Sequence, residues 1–145
     1  MGLSNAQQQV REFHGVMIGK RVTPDQPVKL SHYNGDLRCS LIEEEAGEFR
    51  CAWEARDRVA MIDALCDLVY VTLGAAVEMG IELDEFFEEV HRANMTKVGG
   101  PIREDGKQLK PRDWRAPDIQ AVYRRLYGGD PSGEPVQTAL ALDSG

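Results

Sequence analysis

Residues 37–52 read Leu-Arg-Cys-Ser-Leu-Ile-Glu-Glu-Glu-Ala-Gly-Glu-Phe-Arg-Cys-Ala. Positions three and four apart share one face of a helix, so Leu37, Leu41, Glu45, Glu48 and Ala52 form a single stripe, with Glu44 on its border. The acids therefore occupy the face that the leucines would bury. A buried carboxylate without a partner costs several kcal/mol, and crowded carboxylates repel one another, so this face calls for a cation. A Glu-rich run is most often a solvated helix surface, and Arg50, Arg56 and Arg58 could supply ion pairs. Oxygen-rich clusters of this kind are, however, what Mg²⁺ or Mn²⁺ prefer.

The segment that follows sets the rest of the architecture. Residues 58–79 contain Val59-Ala-Met-Ile-Asp-Ala-Leu-Cys-Asp-Leu-Val-Tyr-Val-Thr-Leu-Gly-Ala-Ala-Val77, apolar nearly all round. A membrane span needs about 20 apolar residues, but two aspartates in the first half and charged flanks make this a central core helix instead. Asp63 and Asp67 lie four apart on one face with no cation inside the run. They need partners from elsewhere, either arginines of other helices or a metal ion.

Working back towards the start, residues 21–36 hold Pro24, Pro27, Asn34 and Gly35 and read as a connecting loop, with Asp36 as the N-cap of helix two. A first helix, capped by Ser4 or Asn5, presents Val10, Phe13, His14, Met17 and Ile18 and ends near Gly19-Lys20. His14 has no second histidine at i+4 and reads as a packed side chain.

Working forward, Gly80 ends helix three and Leu83 or Asp84 opens helix four, whose apolar face is Leu83, Phe86, Phe87 and Val90. Glu85, Glu88 and Glu89 form its solvated outer face. The helix closes with His91-Arg-Ala-Asn-Met-Thr-Lys97, where Asn94 and Lys97 stand one turn apart, and Gly99-Gly100-Pro101 stops it. Residues 102–117 are turn-rich and basic, carrying Arg103, Lys107, Lys110, Arg112 and Arg115 around an Asp105-Gly106 turn. A short helix over residues 117–127 starts at Pro117. Without repeats or a convincing strand, the chain reads as an all-α, four-to-five-helix bundle: one domain over residues 1–127 and a flexible tail over 128–145.

The 145 residues carry a net charge of −7, which argues against a nucleic-acid-binding surface. Cys39, Cys51 and Cys66 form no metal-binding spacing and read as reduced, mostly buried thiols of a cytoplasmic protein. The first residues show no signal-peptide pattern, and Ala6 breaks the myristoylation motif that Gly2 would begin.

Taken in order, these segments resemble the all-α nucleoside triphosphate pyrophosphohydrolases, the MazG-like group that includes phosphoribosyl-ATP pyrophosphohydrolase. The resemblance covers about residues 9–119. It lies in the EExxE motif Glu44-Glu45-Ala46-Gly47-Glu48, in Asp63-Ala64-Leu65-Cys66-Asp67 opening a core helix, and in Glu89-Val-His-Arg-Ala-Asn-Met-Thr-Lys97. Asp105-Gly-Lys-Gln-Leu-Lys-Pro111 and Trp114-Arg-Ala-Pro-Asp118 follow. EExxE alone is weak; the ordered set is specific. The family has ExxD in the second motif, and here its glutamate position is Ala64, with Asp63 as the candidate substitute.

The resemblance implies water attack on the α-phosphorus of a nucleoside triphosphate, giving monophosphate and pyrophosphate. Glu45, Glu48 and Asp67, with Asp63, would hold Mg²⁺ or Mn²⁺, and Glu44 would orient or deprotonate the water. Asn94, Lys97, Lys107 and Lys110 would meet the phosphates. Phe13, on the apolar face of the first helix, reads first as core and second as the wall of a base pocket. The expected substrate is dUTP, dCTP or dGTP in nucleotide-pool control. Phosphoribosyl-ATP of histidine biosynthesis is the alternative. A non-catalytic nucleotide- or protein-binding bundle is a third reading, supported by Ala64. A homo-oligomer, a dimer or a dimer-of-dimers tetramer, is expected with no nucleic-acid or membrane partner, because one helix apolar all round leaves faces that a short chain covers poorly.

Overall fold

The longest helix organises the molecule. The computed structural model describes residues 2–17 and 22–131. Its helices are α1 (Leu3–Met17), α2 (Gly35–Glu54), α3 (Arg58–Met79), α4 (Asp84–Met95) and α5 (Ile119–Tyr127), with a short 3₁₀ turn at Leu30–His32. Among the described residues there is no strand, only an isolated antiparallel bridge between Ile102 and Gln108. The all-α expectation holds.

Asp57 caps α3 by accepting a hydrogen bond from the Ala60 amide (3.0 Å), and Gly80 ends it in the left-handed region at φ 78°. A β-carbon at Gly80 would lie 1.9 Å from the Gln26 carbonyl oxygen, so this position needs glycine for space as well as for backbone angle. The loop of residues 22–34 is laid across this end of α3: Val28 donates to the Met79 carbonyl (3.0 Å) and the Tyr33 hydroxyl to the Ala75 carbonyl (2.9 Å).

Helix α2 folds back along α3 after a tight turn, α1 packs on the other half of α3, and α4 pairs with α5. Ala52 and Ala64, both buried, keep the α2–α3 seam narrow. Val10, Leu73 and Val77 form the core between α1 and α3, with Leu3, Ala6 and Leu83 against it. Gln7 is fully buried beside them, yet neither end of its amide is unpaired. It donates to the Ile81 carbonyl (2.6 Å) and accepts from the Leu83 amide (3.0 Å), which docks α1 on the α3–α4 turn.

Several expectations are corrected. Helix α2 is capped by Asn34, whose side chain accepts from Leu37 N at 3.2 Å, rather than by Asp36. Helix α5 is capped by Asp118 rather than started at Pro117. Glu89 is no solvated surface acid: it takes two hydrogen bonds from Arg92 (2.8 and 2.7 Å) and one from the Asp118 amide (2.9 Å), pinning α5 to α4. Phe87 is 61% exposed. The cysteines are exposed instead of buried, because α2 and α3 each cover only one face of the other. For the same reason α3 is not enclosed: Val59 is 77% and Ile62 56% exposed, and Leu65 and Val69 are exposed as well. The expected end of the first helix near Gly19-Lys20 and nearly all of the expected tail lie outside the described residues.

Candidate active site

The helical spacing of α2 puts Glu45 and Glu48 one turn apart, and α3 brings Asp67 opposite them. One carboxylate oxygen from each of the three lies within 4.8 Å of the others. The Glu45 side chain is half-buried, but its Oε2 is closed off from solvent and has no hydrogen-bond partner. Desolvation, followed by the negative charges of Glu48 and Asp67, holds the Glu45 pKa above the ordinary carboxylate value. An orphaned, solvent-shielded oxygen among converging carboxylates is a site that a hard divalent cation fits, since such ions take oxygen ligands and cancel the repulsion.

Glu44 and Asp63 stand beside this trio without joining it. Together with Glu48 they line a groove of about 580 Å³ between α2 and α3 that runs towards the helical turn. Ala64, at the family's glutamate position, is buried in the seam, whereas Asp63 is exposed at the rim.

One turn in the other direction along both helices, Leu41 of α2 and Tyr70 and Val71 of α3 meet Phe13 and His14 of α1. They enclose a cavity of about 310 Å³ with Arg38 at its edge. The Phe13 and Tyr70 rings are edge to face with centroids 5.6 Å apart, a favoured aromatic arrangement. His14 is buried at the back, where its Nδ1 donates to Glu78 Oε1 (2.8 Å). Its ring lies against Gly74, where a β-carbon would come within 3.0 Å of Nε2. Arg38 also lines a neighbouring cavity of about 540 Å³, with His32, Tyr33 and Glu78.

The basic residues are elsewhere. Lys97 Nζ donates to Asn94 Oδ1 (2.6 Å), and Lys97 and Lys110 both stand over the Trp114 ring. Lys107 lies on the hairpin around Asp105-Gly106 and does not join them there. None of Asn94, Lys97, Lys107 or Lys110 lines the acidic groove or the aromatic cavity. Of the residues the sequence picked out, the structure thus gathers the three acids, sets Phe13 one turn away, and leaves the lysines in the segment between α4 and α5.

Arg38, Tyr70 and Glu78 carry no sequence signal of their own. They are found only once α1, α2 and α3 are packed, although Tyr70 does fall three residues after Asp67 on the same face.

A family model described as phosphoribosyl-ATP pyrophosphohydrolase matches residues 10–94, more than half of the chain and the whole of the acidic and aromatic sites. No curated protein matches the chain.

Proposed function

Because the chain belongs to the phosphoribosyl-ATP pyrophosphohydrolase family, within the all-α MazG-like superfamily, we propose that it cleaves the α–β phosphate bond of a deoxynucleoside triphosphate. The observation that carries this reading is the convergence of Glu45, Glu48 and Asp67 around a solvent-shielded, unpaired Glu45 oxygen. The family is a pyrophosphohydrolase family, typically metal-dependent. Glu45, Glu48 and Asp67 would hold Mg²⁺ or Mn²⁺, with Asp63 reaching in from the rim. A divalent ion there supplies charge neutralisation on phosphate oxygens and acidifies bound water.

The chain's own groups do the rest. Glu44, on the groove wall, orients the attacking water and takes its proton. Asn94, Lys97 and Lys110 receive the β- and γ-phosphates, with Lys107 adding charge; lysine serves there as a point charge. Attack of water on the α-phosphorus breaks its bond to the bridging oxygen, and pyrophosphate leaves with the electron pair. Such transfers depend on positioning and charge stabilisation more than on covalent help from the protein. The cavity bounded by Phe13, Leu41 and Tyr70 takes the base, as its aromatic walls, its size and its place one turn from the acids favour.

The lysines approach the acids from a second copy of the chain. The exposed apolar face of α3 and the separation of lysines from acids support a dimer, or a dimer of dimers. The enzyme works in the cytoplasm, where its nucleotide substrates are.

Phosphoribosyl-ATP is the second reading, favoured by the matched family's own description. Its extra ribosyl phosphate needs the neighbouring cavity, which His32 lines and where Arg38 supplies a positive charge. Pyrophosphate release measured across dUTP, dCTP, dGTP and phosphoribosyl-ATP, with Mg²⁺ or Mn²⁺, separates the two. The first reading expects turnover of a deoxynucleotide. Turnover of phosphoribosyl-ATP alone would establish the second.

A further inference from the structure

Lys97 and Lys110 share one indole and, among the described residues, have no acid to neutralise them. Their ammonium groups stand 5.5 Å and 4.1 Å from the centroid of the Trp114 ring. Neither makes an ion pair among the described residues. Two arginines of the same region are treated differently: Arg92 is paired with Glu89 and Arg103 with Asp105. In a chain with a net charge of −7, two like charges gathered without a counter-ion call for an anion from outside.

The gathering is built, not incidental. Trp114 Nε1 donates to the carbonyl of Ala93 (3.0 Å), and Ala93 is fully buried, so the ring is fixed to the end of α4. Gln108 donates to the carbonyls of Lys97 (3.1 Å) and Gly100 (2.8 Å), tying the hairpin that precedes Lys110 to the segment that carries Lys97. Asn94 holds the Lys97 ammonium at 2.6 Å. An indole face attracts ammonium groups electrostatically, which offsets part of their mutual repulsion and keeps them together before the anion arrives.

We propose that Trp114 is the positioning residue of a pyrophosphate clamp: it presents the Lys97 and Lys110 ammoniums as a pair to the β- and γ-phosphates of the substrate. The identity of that substrate rests on the pyrophosphohydrolase reading above. The clamp itself binds an anion with two phosphate centres and needs neither the acidic trio nor a metal.

The test uses the full chain with Trp53→Phe, which leaves Trp114 as its one tryptophan, titrated with inorganic pyrophosphate in the presence of a chelator. The expected result is a saturable change in Trp114 fluorescence that weakens with salt. It should be lost in the Lys97→Gln/Lys110→Gln variant and retained in Glu48→Gln. Trp114→Leu should raise KM for the triphosphate and weaken pyrophosphate binding by calorimetry, each roughly tenfold, with kcat little changed. Trp114→Phe, which keeps an aromatic face but loses the Nε1 hydrogen bond, should recover most of that loss. If both Trp114 variants lower the melting temperature while leaving KM and pyrophosphate affinity alone, the residue is structural and the clamp is refuted. The lysine variant decides the matter independently should Trp114→Leu not fold. A chain that turns over triphosphates while Trp114 reports no pyrophosphate overturns the clamp alone. One that binds pyrophosphate at Trp114 yet hydrolyses no nucleotide overturns the activity and keeps the clamp.

Discussion

Glu45 is where the fold and the proposed chemistry pull against each other. One oxygen of its carboxylate, Oε2, is shielded from solvent without a hydrogen-bond partner, and the group faces two other acids. Replacing it with a neutral amide removes that repulsion. Glu45→Gln is therefore expected to melt higher than the parent at neutral pH without metal and to lose the stabilisation that Mn²⁺ gives the parent. A thermal melt with and without Mn²⁺ reads both effects, and a lower melting temperature in chelator would contradict this account. Asp63 poses the opposite case. The sequence reads it as a metal ligand beside Asp67, but spacing cannot say that Ala64 turns into the seam while Asp63 stays at the rim, outside the trio of acids. As an outer ligand, Asp63→Ala should raise the metal concentration for half-maximal activity, roughly 10–100-fold as for outer-shell partners. Its metal-free melting temperature should barely move. An unchanged metal requirement would make Asp63 a surface charge.

At the scale of helices, boundaries were readable wherever one residue type does a job no other can. Gly80 ends α3 as expected because the position demands a positive φ and the Gln26 carbonyl leaves no room. Gly80→Ala should cost about 3 kcal/mol or more, combining backbone strain with a steric clash. Chemical denaturation checks it. Less readable was Glu89, since nothing in the chain's spacing announces that the N-terminus of α5, nearly 30 residues later, returns to meet it. Hydrogen bonds from Arg92, then from the Asp118 amide, lower its pKa from 4.5 to about 2. A depressed carboxylate contributes stability above its unfolded pKa and loses it as pH falls through the folded value. The stability difference between the parent and Glu89→Gln should therefore be constant above about pH 4.5 and shrink towards about pH 2. A difference that stays flat across that window would place the anchor elsewhere. The i, i+3 spacing intrinsic to a helix does bring Glu45 and Glu48 to one face of α2, but the burial expected of that stripe reaches only Ala52, and Leu37 and Glu48 stay exposed. The Phe13–Tyr70 cavity was not readable, because it exists only between three helices.

At the scale of the whole molecule, helix α3 is expected to be enclosed, and the described residues do not enclose it. Val59, Ile62, Leu65 and Val69 remain exposed on a helix whose other face is core. That much apolar surface is better explained by a partner than by solvent. A mass near twice or four times 16.2 kDa is expected by light scattering at micromolar concentration. A stable monomer would refute the assembly.

The separation of acids from lysines has a genetic consequence. The acids belong to α2 and α3, while the paired lysines follow α4 and stand over Trp114. If one copy lends its lysines to the acids of another, a lesion in either set disables every site of a uniform assembly. Two such defective alleles, expressed in the same cell, would build mixed particles in which some sites collect intact acids from one product and intact lysines from the other. Each allele alone would be null, and together they would complement.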